Sequence, residues 1–260
     1  MAGALPALFL SHGSPTICVE DNATTRFWAG WLKRRQRPRA ILVVSAHWET
    51  EGLRVTAWER CPIVHDFSGF PEALYRLDYP APGAPGVAEE VRAACRVAGL
   101  GEVALDGERG LDHGAWVPLT RMFPAADVPV VQLSLPKGWP PERLYEIGRA
   151  LAPLRGEGIL LIGSGGATHN LAAIDPDATE VARWARVFET WLREMLDDWN
   201  LRDLFEYWQV APHGVQAHPS EEHFLPLFLP MGAGEAKRQA TIKHDAFMYG
   251  SLSMLAVEFR

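Results

Sequence analysis

Three stretches of this 260-residue chain share a pattern that few folds accommodate: a run of Leu, Ile and Val gives way to small residues and then to a histidine. They are LFLSHGSP with His12, AILVVSAHW with His47, and ILLIGSGGATHN with His169. Short apolar runs bounded by Gly, Ser and Pro read as buried strands, the second covering 40–45 and the last 158–163. A further strand, PVVQLSL, covers 129–135. Helical periods separate them. Asp21 or Asn22 can cap a helix carrying Phe27, Trp28, Trp31 and Leu32, and Pro85 can open one that Gly99 closes, with Val87, Val91, Ala94 and Ala98 on its buried stripe. PPERLYEIGRALAPL is a helix between strands, and 177–198 repeats Val181, Trp184, Ala185, Phe188, Trp191 and Leu192 at helical spacing, a stripe of core rather than a cofactor box. The segment TIKHDAFMYGSLSMLAVEF reads as two strands joined around Tyr249 and Gly250, an antiparallel edge or hairpin. The order predicts an α/β fold: a single domain over 1–260 with a mixed, mostly parallel central sheet and helices on both faces. In open α/β sheets ligands collect beyond the carboxyl ends of the strands, so the repeated placement of histidine argues for one shared site.

Composition excludes several classes of partner. Thirty-two acidic against 25 basic residues give a net charge of -7, and the one basic run, KRRQRPR at 33–39, reads as a solvated helix end, so nucleic acid is not expected as a partner. Cys18, Cys61 and Cys95 show no CxxC spacing and cannot all pair, which fits a reducing compartment and predicts a cytoplasmic protein. The opening MAGALPALFL carries no Lys or Arg and runs straight into SHGSP, so it reads as a first strand, not a signal peptide. No apolar run approaches the roughly 18 residues of a membrane span. The expected assembly is a monomer or small homo-oligomer.

The histidines carry the chemistry. A lone histidine after a strand is usually a hydrogen-bonded structural residue, but the shared context of His12 and His47 raises the case for metal ligation. In HPSEEHFLPL, His218 and His223 are five apart, roughly 140° around a helix, so one straight helix cannot aim both at one ion. His223 is the expected ligand of the two, and Glu222 beside it offers a carboxylate that would complete a two-histidine, one-carboxylate set. GSGGATHN lacks both the third glycine of a dinucleotide fingerprint and the Lys of a P-loop, and GSG is not a nucleophile elbow. That leaves His169 as a general acid/base beside the metal, since imidazole titrates near neutrality. His65 in HDFSGFP and His113 in LDHGAW suit the wall of a substrate pocket, while His213, His218 and His244 are expected outside the site.

Nine ordered blocks, LFLSHGSP, LVVSAHWE, HDFSGFP, YPAPG, LDHGAWVPL, VVQLSL, GSGGATHNL, AHPSEEHFLPL and YGSLSM, resemble the class III extradiol ring-cleavage dioxygenases, in the branch of 4,5-DOPA dioxygenase-like proteins. The resemblance spans nearly the whole chain. It implies that His12, His47 and His223 bind the metal and that His169 is the acid/base or a fourth ligand. It further implies a single α/β domain, a DOPA-like catechol and O2 as reactants, and Fe(II) as the working ion. Zinc, which outranks ferrous iron for nitrogen ligands, is the ion expected in protein purified in air. Two other classes compete: a zinc-dependent hydrolase or deaminase using the same histidines to activate water, and a non-catalytic metal-binding protein with a closed tetrahedral site.

Overall fold

A computed structural model of the protein describes residues 3–33 and 35–260. Ten strands follow in chain order: β1 (Ala7–Ser11), β2 (Ala40–Thr50), β3 (Arg54–Thr56), β4 (Ala104–Asp106), β5 (Val130–Pro136), β6 (Ile159–Gly165), β7 (Ala240–His244), β8 (Phe247–Met248), β9 (Leu252–Ser253) and β10 (Ala256–Phe259). Eight of them form one sheet in the order β4-β3-β5-β2-β6-β1-β10-β7, and β8 and β9 form a separate ribbon. The central strands β5, β2, β6 and β1 are mutually parallel. Antiparallel pairs lie outside them, β3 on β5 and β10 between β1 and β7. The mixed, mostly parallel α/β sheet read from the sequence is therefore the one observed.

Strand residues alternate between two cores. Phe9, Leu42, Val44, Leu133 and Leu161 face helices α2 (Pro85–Val97), α4 (Pro141–Leu151) and α5 (Arg183–Asp197), with the short helix Phe228–Ala233. Leu8, Leu10, Ile41, Val43 and Ile162 face α1 (Ala23–Trp31) and α3 (His113–Met122), where Trp28, Trp31 and Trp116 are buried. Both faces being covered is why these strands read as continuous apolar runs. Asn22 caps α1: its side chain accepts from the Thr25 amide while Thr25 Oγ1 accepts from the Asn22 amide.

Several expectations need correction. β2 does not stop at residue 45 but runs to Thr50, so His47 lies within a strand, where the register against β5 shifts between Val44 and Glu49. The buried stripe of α2 is Val87, Ala88, Val91 and Cys95, and Ala98 is exposed beyond the helix end. In α5 the buried set is Ala185, Phe188, Glu189, Leu192 and Leu196; Trp184 and Trp191 are only partly buried, and Val181 precedes the helix. Tyr249 and Gly250, both at positive φ (53° and 72°), turn the small β8–β9 ribbon, while Ala256–Phe259 pairs inside the main sheet instead of at its edge. The basic run after α1 is also partly structural, since Arg35 turns back onto the buried Glu258 of β10. All three cysteines are buried and unpaired. No helix among the described residues is long and apolar enough to cross a membrane.

Candidate functional site

The carboxyl ends of β1, β2 and β6 lie side by side, and each delivers a histidine to the same place. His12 follows β1 directly, with Gly13 at φ 66° making the exit. His47 projects at the irregularity in β2, and such bulges re-aim a side chain out of the strand's alternation. His169 follows β6 through a glycine turn that is bonded to the chain bearing His223: the Gly166 amide donates to the His223 carbonyl (2.9 Å) and the His169 amide to the Ala217 carbonyl (2.8 Å). His113 enters as the first residue of α3. The five rings are close: centroids of His47 and His113 are 4.0 Å apart, His47 and His223 4.9 Å, and His12 and His223 5.4 Å, and His169 stacks on His223 at 3.3 Å.

Hydrogen bonds fix which ring nitrogens are bare. Pro118, inside α3, has no N–H to give the carbonyl of Gly114 four residues back. The Ser164 hydroxyl donates to that carbonyl instead, and its oxygen is left to accept from His12 Nδ1 at 3.1 Å. His12 Nε2 then carries the lone pair, and it lies 3.0 Å from His47 Nε2. With metal–nitrogen bonds of about 2.1 Å, two ligands at a right angle on one ion are separated by about this distance. His223 Nδ1 donates to Glu222 Oε1 (2.8 Å), and its Nε2 is buried with no hydrogen-bond partner. His113 Nδ1 donates to Asp66 Oδ1 (3.0 Å). A carboxylate behind an imidazole is the usual support of a metal-binding histidine. Potential ligand atoms fall into two groups, each within 4.8 Å: His12, His47 and His113, and His169, Glu222 and His223. These residues suit a cation bound by imidazole nitrogen.

Electrostatics agree. Burial, then the neighbouring His47 and His113, pushes the His12 imidazole well below its usual range. Burial lowers His47 to about 3 and His169 to about 4, and burial with His169 beside it lowers His223 strongly. All four are neutral at neutral pH and offer lone pairs, not charge. Burial raises the Asp66 carboxyl, but the hydrogen bonds of His113 outweigh it and hold Asp66 down to about 2.

Of the pocket residues expected from sequence, His113 lines the cavity and His65 does not: its Nε2 bonds to the Leu77 carbonyl (3.2 Å) and its ring packs behind Phe67. His218 is buried against the Ala167 carbonyl, and His244 meets Thr24 on another part of the surface. Sequence reasoning passed over the layer beneath the histidines. Asp112 caps α3, accepting from Ser45 Oγ at 2.7 Å and from Gln132. Gly114 lets this layer close up, since a Cβ there would lie 3.2 Å from the His12 ring and would collide with Ser45. Asp66 and Asp112 each adjoin a histidine or its block, HDFSGFP and LDHGAW, and that adjacency was the available signal.

Comparison with known proteins agrees with this geometry. Residues 6–260 match the family model described as the catalytic LigB subunit of aromatic ring-opening dioxygenase. The chain is 42% identical over 259 residues to a protein of Escherichia coli (strain K12) named 4,5-DOPA dioxygenase extradiol, covering 98% of this chain and 94% of that one. It is 41% identical over 257 residues to the protein of the same name from Portulaca grandiflora, covering 97% and 95%. The crystal structure of an uncharacterized protein from Escherichia coli K12 superposes with a TM-score of 0.83 at 37% identity, over 98% of this chain and 100% of that one. The chain therefore belongs to the LigB family of aromatic ring-opening dioxygenases and is an extradiol ring-cleavage dioxygenase.

Proposed function

We propose that the enzyme opens the ring of a catechol with O2 at a ferrous ion held by His12, His47 and His223, with His169 as its acid/base. The carrying observation is the buried, unpartnered Nε2 of His223, supported from behind by Glu222 and set beside the bare Nε2 of His12. Fe(II), held by these three histidines, would supply the redox chemistry and the positions for catechol and O2. The chain supplies the rest. His12 is held in one tautomer by Ser164, and His223 by Glu222, so both keep a lone pair inward. His169, neutral and stacked parallel to His223, has a ring nitrogen free to take a catechol hydroxyl proton and return it as the O–O bond breaks. The two ring planes are nearly parallel, 7° apart with centroids 3.3 Å apart, so an ion in the plane of the His223 ring lies out of the plane of His169, which favours the acid/base role over a fourth ligand. In the net reaction one ring C–C bond beside the diol is cleaved and both atoms of O2 enter the product, a muconic semialdehyde, with no other reductant required. The family match favours this reading over a zinc hydrolase or deaminase.

The ligand assignment is tested by metal analysis of four folded variants. His12→Ala, His47→Ala and His223→Ala are each expected to lose most bound metal, and His113→Ala to retain it. Full retention in the first three, or loss only with His113→Ala, overturns the assignment.

A further inference from the structure

Resting on the acid/base role proposed for His169, we propose that His218 is its positioning residue: a fully buried imidazole, outside the cavity wall, whose single hydrogen bond aims the loop that carries His169. That loop leaves β6 through Gly166, Ala167 and Thr168, and its groups are tied down one by one. The Gly166 amide donates to the His223 carbonyl (2.9 Å), the Ala167 amide to Ser11 Oγ (3.0 Å) and the Thr168 hydroxyl to the Ser251 carbonyl (2.6 Å). Two further bonds join the loop to one short segment, the helical turn Gly214–Ala217 and His218 directly after it. The His169 amide donates to the Ala217 carbonyl (2.8 Å), and His218 Nε2 lies 3.0 Å from the Ala167 carbonyl. A carbonyl only accepts, so Nε2 carries the hydrogen. The two bonds run in opposite directions between residues 167 and 169 on one side and 217 and 218 on the other, and a stretch of backbone held at both ends cannot pivot about either. This fixes the direction in which the His169 side chain leaves the chain, and with it the parallel stacking of its ring on His223.

Packing alone does not explain a histidine at this position. The rings of Phe224, Phe188 and Tyr207 surround it at centroid distances of 4.9, 5.4 and 5.9 Å. In that cage His218 Nδ1 is buried with no hydrogen-bond partner among the described residues. A phenylalanine of similar shape would fill the space without the cost of a stranded ring nitrogen. What the imidazole adds is the bond to Ala167, two residues before the acid/base. Local conflicts of this kind, accepted in an otherwise apolar core, gather where function requires a particular geometry.

Two measurements test the proposal. In the metal-free protein, amide hydrogen exchange over residues 166–170 is expected to be about 10-fold or more faster in His218→Phe, which keeps the ring and loses the donor. It is expected to return toward the unmodified rate in His218→Gln, whose side-chain nitrogen can take the place of Nε2. In the Fe(II)-loaded enzyme, His218→Phe is expected to lower kcat about 10-fold or more while bound metal and anaerobic catechol affinity are kept, and His218→Gln to recover most of the loss. The double variant with His169→Gln separates positioning from general loosening. With the acid/base gone, His218→Phe is expected to cost little further turnover, whereas its effect on the urea midpoint is the same in both backgrounds. Should His218→Phe not fold, His218→Asn, whose shorter amide falls at the place of Nδ1 and misses Ala167, is expected to behave as described for it. Unchanged exchange in the loop, unchanged kcat in His218→Phe when His169→Gln is impaired, or an equal loss of turnover in both backgrounds overturns the proposal. If the loop loosens as expected while His169→Gln keeps near-normal turnover, the acid/base reading fails and the hold of His218 on the loop stands.

Discussion

At the scale of single residues, the candidate site gathers histidines kept neutral by burial, two of them held by partners behind them. His169 is the one assigned to move a proton, so His169→Gln is expected to keep the metal yet lose about 10²-fold or more in turnover. Metal analysis and single-turnover kinetics on the same preparation check this. Metal loss as complete as in His223→Ala would make His169 a ligand, and near-normal turnover would remove it from the chemistry. His218 gives a separate prediction about acid. Burial pushes its imidazole from an ordinary 6.5 to about 3, with the bond to the Ala167 carbonyl opposing. Below 6.5 the unfolded chain therefore binds a proton that the folded one refuses. The stability His218 contributes is fully present above 6.5 and is lost as pH falls from there toward 3. The urea midpoint of the metal-free protein is expected to drop between about pH 7 and about pH 5, and to drop less in His218→Phe, whatever that variant's absolute stability. Parallel curves for the two proteins would contradict the assignment.

At the scale of elements, the decisive feature is a relay across three segments. Pro118 frees the Gly114 carbonyl of α3, that carbonyl orients Ser164 at the end of β6, and Ser164 orients His12 after β1. Ser164→Ala is thus expected to weaken metal binding about 10- to 100-fold with little change in the fold, the usual cost of losing a group that supports a ligand. Competition with a chelator measures it; unaltered affinity would show that the hydroxyl does not set the tautomer. None of this relay was legible in the sequence, where Ser164 registered only as a small residue at a strand end that makes no nucleophile elbow. The strands themselves were legible because both of their faces are buried. β2 was cut short at residue 45 because Ala46 to Thr50 mixes polar and apolar residues through a register shift that no apolar count reveals. The C-terminal segment misled in another way. Tyr249 and Gly250 do make a tight turn, but it belongs to the small ribbon, and the place of β10 inside the sheet depends on β1, more than 240 residues earlier in the chain.

At the scale of the molecule, parallel strands carry His12, His47 and the loop bearing His169 to one end of the sheet, and the interlocked backbone of Gly166 and His223 brings in the fourth histidine. That explains why His12, His47, His169 and His223, scattered from one end of the chain to the other, could be read as one site from their shared position after strands or beside a proline loop. The neighbours that tune them could not, because Asp66, Asp112 and Gln132 reach the site through packing and not through a motif. The account's central claim is that this site uses ferrous iron to open a catechol ring with O2. Its most direct test is an oxygen-electrode trace of two preparations of the same protein, one loaded anaerobically with Fe(II) and one with Zn(II), given the same catechol. Zinc has no accessible redox change. The iron form is expected to consume O2 and give a yellow ring-opened product, and the zinc form to bind the catechol and consume none. Equal consumption by a verified iron-free zinc form, or none by the iron form with any catechol, would contradict it.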